Sequence, residues 1–230
     1  MLDPSKIRAI SIDLDDTLWP IWPTIERAER ALLLWLFDHA PKTAALHADA
    51  AVRIEIREQL HLDRPDLKHD FSGLRLEAIR MALRRGLDDP SLAEQAFEIF
   101  FAERQRVDLF PDALPALEFL ASRWPVIALS NGNADVHRVG IGRFFKGRIA
   151  AREIGVGKPD RRIFEAAAHA ADVPAAQMLH IGDDPTLDAL GALKAGMQAA
   201  WLNRDGRPWE HEPQPQVQVA GLVELCVQLS

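Results

Sequence analysis

Three short apolar runs in this chain end abruptly in acids or amides, and this pattern constrains the fold more than any other feature. The first stretch, Ile7 to Leu18, reads I-R-A-I-S-I-D-L-D-D-T-L, with apolar Ile10 and Ile12 followed by Asp13, Asp15 and Asp16. A run this short and β-branched reads as a buried strand rather than a helix. A strand that delivers carboxylates at its C-terminal end sets them close enough to repel, and each resists ionising without a counter-charge. Mg²⁺ held by oxygen ligands is the common counter-charge where phosphate is also present. An acidic, helix-capping turn after a strand is the simpler explanation of these residues taken alone.

The other two runs weigh against that simpler explanation. Pro125 to Leu129 (P-V-I-A-L) ends in Ser130-Asn131-Gly132-Asn133, and Gln177 to Ile181 ends in Gly182-Asp183-Asp184-Pro185-Thr186-Leu187-Asp188. Between them, Gly155-Val156-Gly157-Lys158-Pro159-Asp160 reads as a loop, with Asp160 capping a helix from Arg161 to Ala171. Further strands are expected at Arg148 to Ala151, Gln198 to Leu202 and Gln216 to Val219. Helices are expected over Asp112 to Arg123, from about Asn133 to Phe145, from the Asp188 region to Ala195, and from Ala220 to Leu229. Strands alternating with helices imply a parallel sheet covered on both faces. Such sheets bind ligands beyond the carboxyl ends of their strands, at a topological switch point. The polar clusters fall where that rule puts a site.

Pro23 to Val107 breaks the alternation, since it carries helical spacing throughout and no strand signal. Four helices are expected there: one from Pro23 through Leu36, one from about Thr43 to Leu60, one from about Leu67 to Arg85 closed by Gly86, and one from about Asp89-Pro90. Pro20 and Pro23 are expected to stop any helix around Trp19-Pro20-Ile21-Trp22-Pro23. The expected organisation is an α/β core of residues 1–19 and 108–230, Rossmann-like, with an inserted helical cap at 20–107. Trp19 and Trp22 fit either beneath a flap at the site mouth or in the core.

Bulk properties narrow the function. A net charge of -7 over 230 residues argues against nucleic acid or an anionic membrane as partner. The single cysteine, Cys226, excludes an intrachain disulfide and a zinc-thiolate cluster. Met1 to Ser5 lacks the layout of a signal peptide. The longest apolar run, Ala31 to Phe37, is too short to cross a bilayer. A cytoplasmic protein is expected.

Together the clusters suit phosphoryl chemistry. Asp13 is the candidate nucleophile, attacking phosphorus to form an aspartyl-phosphate. Mg²⁺ between carboxylate and phosphate oxygens relieves their repulsion, and Lys158 adds a fixed positive charge. Asp15 is placed to protonate the leaving alkoxide and then to deprotonate the hydrolytic water. Ser130, Asn131 and Lys158 are the candidate substrate-binding residues, and Asp13 and Asp183 the candidate metal ligands. Asp184 and Asp188 suit either holding metal-bound water or orienting Lys158. His180, inside an apolar strand, reads as a hydrogen-bonded core residue, His137 as a surface position and Cys226 as a small core residue.

D-L-D-D-T-L, the strand ending in Ser130-Asn131, G-K-P-D around Lys158 and G-D-D-x-x-x-D resemble, in order, the four motifs of the haloacid dehalogenase superfamily of phosphohydrolases. The helical insert resembles that superfamily's C1-type cap. The resemblance implies Asp13 as nucleophile and metal ligand, Asp15 as acid/base and main-chain carbonyl ligand, Ser130 and Lys158 on phosphate, and Asp183 on Mg²⁺. S-N-G-N and H-I-G-D-D-P-T-L-D-A-L-G-A-L-K-A-G-M-Q-A-A-W-L are similar to the bacterial branch acting on FMN and a ribityl-aminouracil phosphate. The resulting expectation is a Mg²⁺-dependent phosphatase of a small phosphorylated metabolite, with specificity in the cap and the Trp19-Trp22 stretch. The alternatives are a phosphoryl mutase and a 2-haloacid dehalogenase. A dehalogenase needs the aspartate nucleophile but neither metal nor leaving-group acid, which leaves Asp15, Asp183 and Asp184 unexplained.

Overall fold

A computed structural model describes residues 1–230. The chain divides into an α/β unit, Met1–Pro20 with Asp108–Ser230, and a helical unit, Ile21–Val107. In the α/β unit the strands are β1 Ala9–Ile12, β2 Val126–Ser130, β3 Gly147–Ala150, β4 Met178–Gly182, β5 Gln198–Leu202 and β6 Val217–Val219. They form one six-stranded sheet in the order β3-β2-β1-β4-β5-β6. Every neighbouring pair is parallel. This is the doubly wound α/β class that the alternating pattern predicts.

β1 is central and buried along its whole length, which is why it reads as a continuous apolar run. Its register pairs Ile12 with Ala128 of β2 on one side and with Ile181 of β4 on the other. The C-terminal ends of β1, β2 and β4 therefore lie side by side, and the chain reverses its direction of build-out here. One face of the sheet is covered by the helix Arg161–Ala171, whose Ile163, Phe164, Ala167, Ala168 and Ala171 pack with Ala9, Leu129, Met178 and Trp201. Phe164 and Trp201 are fully buried, and truncating such a ring costs about 3–5 kcal/mol. Asp160 caps that helix by accepting from the Arg162 backbone N–H at 2.9 Å.

Two expected helices are shorter or differently wound. Within the stretch from Asn133 to Phe145 only Val136–Val139 is α-helical; Gly140 closes it at φ 91°, and Gly142–Phe144 is a 3₁₀ turn. After β4, Pro185–Leu190 adopts the wide π-type winding before an α-turn, Gly191–Lys194. Asp184 caps this segment, accepting from the Thr186 and Leu187 N–H groups.

The helical unit holds Ile21–His39, Pro41–Ala48, Ala50–Asp63, Phe71–Gly86 and Ala93–Arg104. Two expectations are corrected. The periodic stretch from Thr43 to Leu60 is two helices, because Asp49 turns out of the helix and caps the next one through the Ala51 N–H at 2.8 Å. The first helix begins at Ile21 rather than stopping at the prolines, since a proline is tolerated in a first turn where its N–H has no helical partner. Ala28, Leu32, Leu36, Ala44, Ile79, Leu83, Ala96 and Phe100 form the unit's core. Gly86 is required by close approach: a Cβ there would lie 2.4 Å from Thr43 Oγ1. Thr43 in turn donates its N–H and hydroxyl to Asp88, both at 2.8 Å.

Candidate active site

Asp13 is the first residue past β1, and its N–H continues the ladder to Ile181 O at 2.9 Å. The residues after it fold into a tight turn. Leu18 N–H donates to Leu14 O at 2.8 Å, and Asp16 N–H to Trp19 O at 2.7 Å. Asp16 sits in the left-handed region at φ 58°, a conformation that Asp tolerates better than most residues. Trp19 is fully buried and its indole N–H donates to Asp15 Oδ1 at 2.9 Å, which aims the Asp15 carboxylate. Trp22 is 71% exposed, so the two tryptophans have different environments.

Lys158 reaches the acids from the loop before the helix Arg161–Ala171. Its side chain is only 3% exposed, and its ammonium donates to Asp13 Oδ1 and, at 2.6 Å, to Asp188 Oδ1. Asn131, read from the sequence as a substrate ligand, has its side chain committed elsewhere. Its Oδ1 accepts from the Lys158 N–H at 2.7 Å and its Nδ2 donates to the Lys158 O at 3.0 Å. The Asn131 amide thus fixes the backbone that presents Lys158. Gly157 lacks a Cβ where one would lie 2.7 Å from Asn131 Oδ1. Ser130 is buried at the end of β2, and its hydroxyl oxygen accepts from the Gly132 N–H at 2.9 Å. The hydroxyl proton is not used by that contact.

Asp183, the first residue past β4, is held from several sides. Thr17 Oγ1 donates to its Oδ1 at 3.1 Å, and the Trp201 indole donates to its main-chain O at 2.8 Å. Arg204 donates to Thr17 O at 3.1 Å while forming a fork on Asp112 at 2.9 and 3.1 Å. Carboxylate oxygens of Asp13, Asp183 and Asp188 all lie within 4.8 Å of one another. Thr17, Trp201 and Arg204 were not assigned site roles from the sequence, whereas Asp188 was read as holding metal-bound water or orienting Lys158. Asp188 had a local signal in the G-D-D-x-x-x-D spacing and Thr17 in D-L-D-D-T-L; Arg204 had none.

The electrostatics match a cluster with more acid than base. Burial and the like charges of Asp188 and Asp183 push Asp13 well above the usual carboxylate range, against the pull of Lys158. Burial, Asp188 and Asp16 push Asp183 up to about 7. Asp188 goes the other way: burial acts to raise it, but Lys158 and His180 hold it below the ordinary range. Burial works to lower the Lys158 pKa, yet Asp13 and Asp188 keep it above its ordinary value. A divalent cation fits this donor set, because it would supply the charge that Lys158 alone does not. Asp188 is the least suited of the three acids to ligate it. Its Oδ1 already receives Lys158 and His180, and its Oδ2 receives the Asp184 N–H at 3.1 Å.

The haloacid dehalogenase-like hydrolase family matches residues 7–196, a span that holds every residue of this cluster. The chain belongs to that family. It is 32% identical over 228 residues to the 5-amino-6-(5-phospho-D-ribitylamino)uracil phosphatase YigB of Escherichia coli, covering 96% of this chain and 95% of that one. It is 34% identical to a phosphoserine phosphatase of Thermus thermophilus over 66% of this chain and 63% of that one. The crystal structure of a 2-haloacid dehalogenase from Pseudomonas syringae superposes with a TM-score of 0.91 at 37% identity, covering 97% of each chain. In this family member the acids and Lys158 all sit in the α/β unit, at the carboxyl ends of β1, β2 and β4 or in loops beside them. No helix is long and apolar enough to cross a membrane.

Proposed function

We propose that the chain is a Mg²⁺-dependent phosphatase that hydrolyses a small phosphate monoester through a phosphoryl group carried on Asp13. The observation that carries this is the cluster of Asp13, Asp183 and Asp188, with a single ammonium, that of Lys158, bound to the buried Asp13 and Asp188. Asp13 and Asp183, with the main-chain carbonyl of Asp15, are the groups that would hold the cation. When bound, the cation screens the charge of the phosphate.

The protein's own residues then divide the work. An Asp13 carboxylate oxygen forms a bond to phosphorus as the bond to the ester oxygen breaks. Asp15, aimed by Trp19, gives its proton to the departing alkoxide. It then takes one from the water that attacks the acyl phosphate, returning the Asp13 carboxylate and releasing phosphate. Lys158 and the Ser130 hydroxyl bind the non-transferring phosphate oxygens, and Asn131 sets Lys158 in place. The helical unit carries none of these groups, so we assign to it substrate selection rather than chemistry. The relative's substrate, 5-amino-6-(5-phospho-D-ribitylamino)uracil, and FMN are the first candidates.

Dehalogenation is the second reading, favoured by the Pseudomonas syringae neighbour. Overall similarity to that protein and to the phosphatase relative is comparable, so our choice rests on site chemistry. Halide is a good leaving group that needs no acid, which leaves Asp15 idle. A haloacid would also bring its own carboxylate toward Asp13, Asp183 and Asp188, adding a further anion to acids that share only the Lys158 ammonium. The test is phosphate release from a panel of phosphorylated metabolites, FMN and the ribitylamino-uracil phosphate included, with Mg²⁺ and with chelator. Metal-dependent release is expected. Halide release from 2-chloropropionate, with no phosphate release from any ester, would overturn the proposal.

A further inference from the structure

Beyond Lys158 the polar network continues into the sheet, through groups that the proposed chemistry does not use. Asp188 Oδ1 also lies 3.0 Å from His180 Nε2, and His180 Nδ1 lies 2.9 Å from Ser11 Oγ. Ser11 and His180 are register partners on β1 and β4, and both are completely buried. Their strand neighbours Ile10, Ile12, Leu179 and Ile181 are apolar and buried. Strand packing alone does not call for a polar pair there.

Donor and acceptor accounting fixes the state of the ring. The Asp188 carboxylate only accepts, so His180 Nε2 carries the proton. A neutral imidazole then leaves Nδ1 as an acceptor, which the Ser11 hydroxyl satisfies by donating. The ring is kept neutral by its surroundings: Phe164 meets it edge-on at 5.1 Å, and the Lys158 ammonium shares the same Asp188 oxygen. Burial draws the His180 pKa below its ordinary value, consistent with this. Asp188 reaches the ring because Gly182 lacks a side chain, since a Cβ there would sit 2.2 Å from Asp188 Cγ.

We propose that Ser11 and His180 are positioning residues: Ser11 holds His180 as the Nε2–H tautomer, His180 fixes Asp188, and Asp188 holds the Lys158 ammonium at Asp13. The inference rests on the reading that Lys158 and Asp13 act on the substrate. Without the His180 donor, Asp188 loses one of the contacts that orient it, and Lys158 follows. Replacing one partner of a buried polar pair leaves the other unsatisfied at a cost of about 1–3 kcal/mol, so thermal stability is measured beside turnover for each variant.

The experiment uses the full chain as wild type, Ser11→Ala, His180→Phe and His180→Gln. Gln places an amide N–H near the position of Nε2 and keeps the donor to Asp188; Phe keeps the ring and removes it. Heteronuclear NMR of ¹⁵N-histidine protein should show one imidazole locked as the Nε2–H tautomer across neutral pH, absent from both His180 variants. This readout needs no activity, so it stands even if the phosphatase assignment fails. Steady-state rates on p-nitrophenyl phosphate, taken well below each variant's melting temperature, should fall roughly 10- to 100-fold in kcat for His180→Phe. Ser11→Ala should fall between that variant and wild type, and His180→Gln should recover most of the loss. An Nδ1–H or freely titrating His180, or a His180→Gln variant no faster than His180→Phe, would overturn the proposal. So would a His180→Phe variant with wild-type kcat. Absence of phosphatase activity in the wild type, with the tautomer as expected, would instead overturn the functional assignment.

Discussion

Replacing Asp183 by Asn should stabilise the cation-free protein while removing its response to Mg²⁺. Asp183 is held at about 7 instead of 3.8 by burial and by the charges of Asp188 and Asp16. A raised acid binds its proton more tightly in the folded state than in the unfolded one. Stability is therefore undiminished below pH 3.8, falls as pH rises from 3.8 to about 7, and is flat above. At about 1.36 kcal/mol per pH unit the shift sets a ceiling of about 4 kcal/mol. The carboxylate is partly exposed, and screening reduces that to roughly 2 kcal/mol. Asn keeps an Oδ1 for the Thr17 hydroxyl, so the local hydrogen bond survives. For a chain of this size the gain corresponds to about 5 °C in Tm. The assay is thermal unfolding in chelator at pH 5 and pH 8. The variant should melt above wild type, with the gap larger at pH 8. Added Mg²⁺ should raise the wild-type Tm by linkage and leave the variant unmoved. A variant that melts lower than wild type in chelator, or by the same margin at both pH values, would refute the electrostatic account of this site.

The remaining predictions concern the chemistry and the helical unit. Asp13→Asn should lower turnover at least about a thousandfold and abolish the base-labile phosphoryl enzyme trapped from labelled substrate. Asp15→Asn should accumulate that species when the leaving group needs no proton, because hydrolysis then lacks its base. In the helical unit, burial acts to raise Glu29, but His47 at 3.0 Å and Arg75 at 2.6 Å hold it down at about 2. Its folded pKa lies below its ordinary 4.5, so its contribution is present above pH 4.5 and is lost as pH falls through about 2. Glu29→Gln should cost up to about 3 kcal/mol in denaturant unfolding at pH 7 and progressively less toward pH 3. A cost independent of pH would assign it to packing instead.

The legible part of the fold was the part written in local patterns. β1, β2, β4 and β5 appear as short apolar runs, and the Asp160 cap and the helix behind it appear in G-K-P-D-R-R-I-F. The acids and Lys158 were found because each stands at the end of such a run or in a glycine-flanked loop. What stayed hidden depends on register and on side-chain reach. That Ser11 faces His180 follows from the pairing of β1 with β4, which no window of sequence contains. The side-chain role of Asn131 was hidden for a similar reason: its amide looks free in S-N-G-N until the Lys158 loop is folded against it. The break at Asp49 and the early start at Ile21 were missed because helical periodicity runs through both, and only capping and first-turn geometry separate the pieces.

Several departures from local rules lie close together in the α/β unit. A non-glycine residue in the left-handed region at Asp16, a π-type turn at Pro185–Leu190, a buried lysine, a polar pair inside apolar strands and mutually repelling carboxylates all lie in β1, in β4 or in the segments that meet at their carboxyl ends. Each carries a cost that packing does not require, and proteins keep such features where function demands them. In the helical unit the acids Glu29 and Asp88 are instead matched: Glu29 lies between His47 and Arg75, and Asp88 accepts two bonds from Thr43. The sheet therefore concentrates unmet electrostatic demand at a single edge, between the strands where the build-out direction reverses. A cation and a phosphate dianion together complement that edge: the first relieves the acids, and the second takes up Lys158, Ser130 and the cation. Neither a halide nor a neutral substrate would do both, and this complementarity, more than overall resemblance to any relative, favours phosphate ester hydrolysis.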